Sequence, residues 1–195
     1  MDNVKQQILD ILVTVKREGI QELIKYLDTK TDYFTAPASA NYHSNFETGL
    51  SIHSLFTRDL FKLKNEQFHL GLSEDTINIC GLGHDICKCN FYKKGFKNVK
   101  KGTKPNGYAN WVEKEVWEID DMLPLSHGHK SVILLQRFIS LSEFEVLAIA
   151  WHMGLPEDYE SKQSYNKAVL KYPAIIALHI ADIESSHLME EVIKE

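Results

Sequence analysis

The segment Gly83-His84-Asp85-Ile86-Cys87-Lys88 sets an imidazole and a carboxylate side by side at the end of an apolar stretch. Burying a carboxylate is costly unless charge or hydrogen bonds compensate it, and a metal ion supplies both. A His-Asp dipeptide alone is a weak signal, because such pairs arise by chance. It gains weight here because histidines and an aspartate recur along the chain as His53, His84-Asp85, His127, His152 and Asp182.

The ordered series resembles the HD-domain superfamily of metal-dependent phosphohydrolases, from about Pro37 to about Ser186. The local wording is closer to a group of small bacterial and phage HD-domain proteins. It is carried by Pro37-Ala38-Ser39 with Tyr42-His43, Gly49-Leu50-Ser51-Ile52-His53-Ser54, His84-Asp85-Ile86-Cys87-Lys88-Cys89-Asn90-Phe91-Tyr92, His127-Gly128-His129-Lys130-Ser131-Val132, Trp151-His152-Met153-Gly154 and Leu178-His179-Ile180-Ala181-Asp182. The resemblance implies metal ligation by His53, His84, Asp85 and Asp182. His127 and His152 would complete a second position, with Asp85 as the bridge. An imidazole–carboxylate set of this kind suits one or two divalent ions of iron, manganese, nickel, cobalt or zinc.

Two such ions can share a hydroxide nucleophile and stabilise charge on a phosphoryl group, so no serine or cysteine nucleophile is required. Asp85 and Lys88 are the expected catalytic pair, with Lys88, Lys130 and His43 on the substrate. A lysine ammonium is a good point-charge partner for phosphate. His179 is expected to orient Asp182 or water, and His129 to stand behind the ligands. The chain departs from the family's Gly-His-Gly-Glu-Lys-Ser at Ser126 and His129. It also runs Leu155-Pro156-Glu157-Asp158 where relatives have Gly-Phe-Asp. The implied reaction is hydrolysis of a phosphomonoester or phosphodiester, with a nucleotide as substrate. Two alternatives stay open: a diiron oxygenase of the myo-inositol oxygenase type, and a nucleotide-binding module without turnover.

The elements that must position these residues read as helices. Val4, Ile8, Ile11, Leu12 and Val15 recur at helical spacing, giving a helix from Asn3 to Glu18 that Gly19 ends. Ile20, Leu23, Ile24 and Leu27 mark a short second one. Asp32 to Thr48 is a polar ordered loop carrying His43. Gly49 to about Asn65 follows, with His53 on the same face as Leu50, Phe56 and Leu60. Ser73 caps a helix reaching Lys88, although Gly81 and Gly83 weaken it. Further helices run from Lys130 to Ser140, from Ser142 to Met153, and from Ala174 to about Ile193. Glu160 to Lys171 reads as a polar loop. His69 and His187 are surface residues, and Glu190, Glu191 and Glu195 form a solvated acidic end.

Asn90 to Asp121 differs in character, with aromatic residues spread among lysines around Lys104-Pro105-Asn106-Gly107. Asn106-Gly107 is a hairpin signal. Its aromatics with Lys93, Lys94, Lys97, Lys100, Lys101 and Lys104 could grip a nucleotide, while the plainer reading packs the aromatics on the helices. Cys87-Lys88-Cys89 lacks the spacing of a zinc site, and Cys80 reads as core. The expected fold is all-α, an HD-domain bundle of six or seven helices with a small β-hairpin insertion, one domain over 1–195 with N-terminal helices in 1–30.

Composition limits the partners. At 195 residues, with 44% hydrophobic and 25% charged residues and a net charge of -5, the chain can bury a sizeable core and has no global basic field for long nucleic acid. No signal-peptide run and no membrane-spanning stretch is present in the sequence. Three cysteines make no disulfide framework. A cytoplasmic protein acting on a small phosphate ester is the expectation.

Overall fold

A computed structural model describes residues 2–189; the expected acidic end at Glu190, Glu191 and Glu195 lies outside them. Eight α-helices and one antiparallel β-hairpin are present among the described residues. The helices are α1 (Asp2–Leu12), α2 (Ile20–Thr29), α3 (Gly49–Gln67), α4 (Glu74–Gly83), α5 (His127–Leu135), α6 (Glu143–Ala150), α7 (Tyr159–Lys171) and α8 (Ile175–Glu184). The strands are β1 (Tyr92–Thr103) and β2 (Ala109–Ile119). The all-α expectation is therefore corrected: the fold is mixed, with eight helices and a two-stranded sheet of long strands.

The core gathers one side of each helix around Leu50, Phe61, Ile77, Leu135, Ile149 and Leu178. Ser73 caps α4 by accepting from the Thr76 N–H, and Ser142 forms a reciprocal capping box with Glu145 on α6. Differences from the sequence reading have local causes. Helix α1 stops at Leu12, and the chain turns before burying Val15. The Ser73 helix ends at Gly83, and Ile86–Lys88 forms a separate 3-10 turn. Residues 160–171, read as loop, belong to α7. Asp158 caps it by accepting from the Ser161 N–H, and only Ala168 of its residues is fully buried. A helix with so little apolar face leaves no periodic signal.

Gly81, which weakens α4 in propensity terms, is needed for packing. A Cβ there would lie 2.4 Å from Arg58 Cα and 2.5 Å from Arg58 Cβ, so α3 and α4 touch backbone to backbone. Beside this crossing, Glu145 is fully buried and holds four hydrogen bonds. Arg17 gives two through Nη1 and Nη2 at 3.0 and 2.9 Å, Thr76 Oγ1 gives one at 3.0 Å and the Ser142 N–H one at 2.7 Å. Burial works to raise the Glu145 carboxyl pKa, but the Arg17 bonds outweigh it and hold it below its usual value.

Residues 92–119 form the hairpin, closed at Lys104–Tyr108 with Gly107 at φ +84°, as Asn106-Gly107 suggests. Tyr92 pairs with Ile119, Lys94 with Trp117 and Val99 with Val112. The aromatics do not pack on the helices as a set: Phe96, Tyr108 and Trp111 are 65%, 74% and 59% exposed. No helix of the described residues is long and apolar enough to cross a membrane.

Two stability outcomes follow from this packing. Gly81→Ala should lower the thermal midpoint although alanine is the better helix former, because an overpacking cost of about 1–3 kcal/mol exceeds a propensity gain of about 1 kcal/mol. A melt showing unchanged or higher stability would refute the close crossing. Glu145→Gln should cost about 3 kcal/mol at pH 7, since it strands the Arg17 charge. Because the folded Glu145 pKa is depressed, its contribution is present above the ordinary carboxylate range and fades as pH falls through about 4. Urea titrations of wild type and variant should therefore converge in acid.

Candidate metal centre

Each of the six series residues sits at or near a helix end or in a helix beside them. His53 projects from the second turn of α3. His84 and Asp85 follow the last residue of α4. His152 lies just past α6, Asp182 in the last turns of α8, and His127 begins α5. His53, His84 and His152 are fully buried and Asp85 is 2% exposed.

The donors converge. His53 Nε2 is 3.0 Å from His84 Nε2, 3.2 Å from Asp182 Oδ1 and 3.4 Å from Asp85 Oδ2. His84 Nε2 lies 3.6 Å from Asp85 Oδ2 and 4.0 Å from Asp182 Oδ1. On the other side of the same carboxylate, His152 Nε2 is 3.4 Å from Asp85 Oδ1. Asp85 thus turns one oxygen toward His53 and His84 and the other toward His152, the disposition a bridging carboxylate needs.

Backbone carbonyls set the tautomers. His84 Nδ1 is 2.8 Å from the Gly81 carbonyl and His152 Nδ1 is 2.7 Å from the Ile149 carbonyl. A carbonyl only accepts, so each Nδ1 carries the proton and each ring turns its Nε2 inward, as a lone pair wherever the ring is neutral. Burial pushes the His84 pKa down to about 4, so this ring is neutral at physiological pH. Its Nε2 lone pair faces the carboxylate oxygens of Asp85 and Asp182, an arrangement that a cation between them would stabilise. Bonds of about 2.1 Å put neighbouring ligand atoms about 3.0 to 3.4 Å apart in octahedral or tetrahedral sites. The three spacings from His53 Nε2, 3.0, 3.2 and 3.4 Å, fall in that range, and the two from His84 to the carboxylates, 3.6 and 4.0 Å, are wider.

Burial works to raise the Asp85 carboxyl pKa, but the Lys88 and His84 charges and the imidazole bonds hold it well below its usual value. Burial likewise opposes ionisation of Asp182, and the bond from His53 together with the charges of His53, His84 and His152 outweighs it and leaves the pKa lowered. For His152, burial lowers the pKa, but the adjacent Asp85 carboxylate outweighs that and leaves it raised. A divalent cation beside Asp85 would reverse the balance and favour the neutral ligand form.

Lys88 Nζ is 2.6 Å from Asp85 Oδ2 and largely buried. Burial tends to discharge it, but the Asp85 carboxylate outweighs this and keeps it a cation at neutral pH. The His43 ring centroid is 5.1 Å from that of His53. Its loop is tied back by the Ser39 hydroxyl, which donates to the His43 carbonyl at 2.9 Å and accepts from the Tyr42 N–H.

Three expected site residues are placed elsewhere. Lys130 turns to Asp121 Oδ1 at 2.6 Å and lies over the Phe91 ring, so it does not face the cluster. His129 is exposed, 2.6 Å from Ser126 Oγ through Nδ1 and edge-on to Trp151. His179 does not orient Asp182; its Nδ1 donates to the His152 carbonyl at 2.7 Å and fixes that turn. His127 occupies the rim with its Nδ1 3.3 Å from Cys87 Sγ.

Cys87, Ser185 and Ser186 were not legible as site residues. Cys87 joins Asp85 and His127, each bringing a ligand atom within 4.8 Å of the others, because the 3-10 turn after Asp85 swings Cys87 back to the same side. Burial pushes the Cys87 thiol up to about 12, so it is a neutral neighbour rather than a nucleophile. Ser186 Oγ lies 3.4 Å from Asp182 Oδ1, and Ser185 Oγ 3.4 Å from His53 Nδ1. A short wider-pitch helical turn over Ser185–Met189 brings both serines inward. Gly128 lets α5 meet the end of α6, since a Cβ there would lie 2.3 Å from the Ala150 carbonyl oxygen.

The chain matches no known protein family, no curated protein and no solved structure in comparisons with each. The reading of the site therefore stands on its own chemistry.

A transition-metal ion should bind and stabilise the fold. Adding manganese, cobalt, nickel or zinc to chelator-stripped protein should raise the thermal midpoint in a concentration-dependent way, worth about 2.7 kcal/mol at a hundredfold excess over Kd. His84→Ala and Asp85→Ala should lose the response, and elemental analysis should find the metal absent from both. An equal shift in wild type and both variants would place the metal elsewhere.

Proposed function

We propose that the chain is a metal-dependent phosphohydrolase of the HD-domain type that cleaves a phosphomonoester or phosphodiester of a nucleotide in the cytoplasm. One observation carries the proposal: the Nε2 atoms of His53, His84 and His152 converge on both oxygens of Asp85, with the Lys88 cation 2.6 Å from one of them. His53, His84, Asp85 and Asp182 would hold one divalent transition ion, and Asp85, His127 and His152 a second. Such ions supply Lewis acidity toward a phosphoryl oxygen and lower the pKa of water.

The chain's own residues perform the rest. Lys88 remains protonated, so it acts as a fixed positive charge on a phosphoryl oxygen and not as a proton donor. Its contact with Asp85 keeps the ammonium at the edge of the cluster, where an incoming anion can share it. The Gly81 and Ile149 carbonyls prevent His84 and His152 from rotating. His43, beside His53, touches the substrate at the mouth. Lys130 is engaged by Asp121 and takes no part.

The test is phosphate release from a panel of nucleoside mono- and diphosphates, cyclic nucleotides and aryl phosphates, in each of the five metals. Chelation should abolish release, and Asp85→Ala should remove it. Lys88→Ala should retain metal yet lose about 10²- to 10³-fold in rate, the usual cost of deleting one transition-state charge partner. Turnover that survives Asp85→Ala, or metal-loaded wild type that releases no phosphate, would sink the proposal. Oxygen uptake without phosphate release would identify oxygenase chemistry instead.

A further inference from the structure

A cavity of about 420 Å³ lies between the base of the hairpin and the loop that carries His43. Its walls include Asn41, Asn45 and Phe46 on the loop side and Lys94, Lys114 and Trp117 on the hairpin side. The volume falls in the range of small-molecule sites, about 300 to 1,000 Å³. The metal cluster does not use it.

Two routes connect this cavity to the cluster. Along the loop, His43 stands between Asn41 and Asn45, and its ring is 5.1 Å from that of His53. Along the hairpin, Lys88 contacts Asp85 at 2.6 Å and acts on the neighbouring Tyr92 phenol. Tyr92 and Lys94 are two residues apart on β1, hence on one face, and Lys94 pairs directly with Trp117. One step along a strand pair is about 7 Å. The cavity therefore begins about one such step beyond Tyr92, whose phenol feels the Lys88 charge.

The lining matches one ligand chemistry. The Trp117 indole offers a flat apolar surface, and Lys94 Nζ lies 5.5 Å from its centroid. Indole faces stack on heteroaromatic rings, a sequence-tolerant contact. The carboxamides of Asn41 and Asn45 each carry both a donor and an acceptor, the combination that reads a base edge. Lys94 is also held by Glu47 at 3.2 Å and Glu115 at 3.4 Å, so the wall is close to charge-balanced and is no second phosphate site.

We infer that this cavity holds the heteroaromatic base of a nucleoside whose phosphate reaches Lys88 and the Asp85 cluster. The inference rests on the phosphohydrolase reading for the phosphate end only. Base binding itself needs no metal.

The experiment titrates the full chain, stripped of metal by chelator, with adenosine, guanosine, cytidine and uridine. Saturation-transfer NMR and tryptophan fluorescence report binding, with ribose 5-phosphate as the control lacking a base. At least one nucleoside should bind saturably and ribose 5-phosphate should not. Trp117→Ala should weaken the nucleoside about tenfold, the usual scale for loss of a stacking partner. Asn41→Ala, on the opposite wall, should weaken it too, while Trp111→Ala, far out on the hairpin, should bind as wild type. Absence of nucleoside binding, or wild-type affinity in Trp117→Ala and Asn41→Ala, would overturn the inference. Nucleoside binding without phosphate release in any metal would remove the hydrolase reading and leave the cavity assignment standing. Aryl-phosphate hydrolysis without nucleoside binding would do the reverse.

Discussion

The crowding of imidazoles and carboxylates around Asp85 is the constraint on which the structure depends. The Nε2 atoms of His53, His84 and His152 and the oxygens of Asp85 and Asp182 are held a few ångströms apart out of water. Helix ends hold them there. The Gly81 carbonyl near the end of α4 and the Ile149 carbonyl near the end of α6 each take the outward proton of a ring. Those helix C-termini also carry partial negative charge. A region made of lone pairs, carboxylates and carbonyl ends is stable as a neutralised site and costly as a bare one. The single lysine inside it, Lys88, offsets one of two carboxylate charges, leaving a deficit that a divalent ion would meet.

Much of the remaining framework keeps those helix ends in register. Gly81 lets α4 lie against α3, which sets His84 beside His53. Gly128 does the same for α5 and α6, bringing His127 and His152 to one side of Asp85. Glu145 ties the start of α6 to Arg17 and to Thr76 on α4. Its loss would loosen the distance between the His84 and His152 segments before it touched any ligand. His179 fixes the turn after His152 through a backbone carbonyl. Stability and site geometry are thus carried by the same few contacts.

What could be read from the sequence follows from how local each signal is. The inward direction of His53 was legible because Leu50, Phe56 and Leu60 recur with it at helical spacing. Ser73, Ser142 and Asn106-Gly107 were legible as cap and turn chemistry. The hairpin's span within 90–121 was legible too; its effect on fold class was not, because an aromatic–lysine alternation does not reveal whether it pairs in solvent or packs on helices. Helix α7 was missed because its apolar face is too small to show a period. The roles of Lys130 and His129 failed for a different reason. Residue type says what a side chain can bind, whereas Asp121 and Ser126 decided what these two do bind. Cys87 shows the converse, a residue set aside on spacing that a 3-10 turn returns to the cluster.

The two halves of the molecule answer different chemical demands. The helical half can hold charge tightly because each buried group is met by another, which leaves little latitude for substitution around Asp85. The hairpin half is solvent-exposed along most of its length, and its wall residues contact charge partners only at the surface. Changes at Trp117 or Lys114 would reshape the cavity without breaking a buried network. On the proposed function, chemistry would fall to the helix ends and recognition to a pair of strands that no core depends on. Tyr92 lies at the junction, near enough to Lys88 to feel its charge and on the same strand face as Lys94. A nucleotide of the proposed kind, spanning the junction, would have to satisfy both halves at once, and its length would set which phosphate reached Asp85.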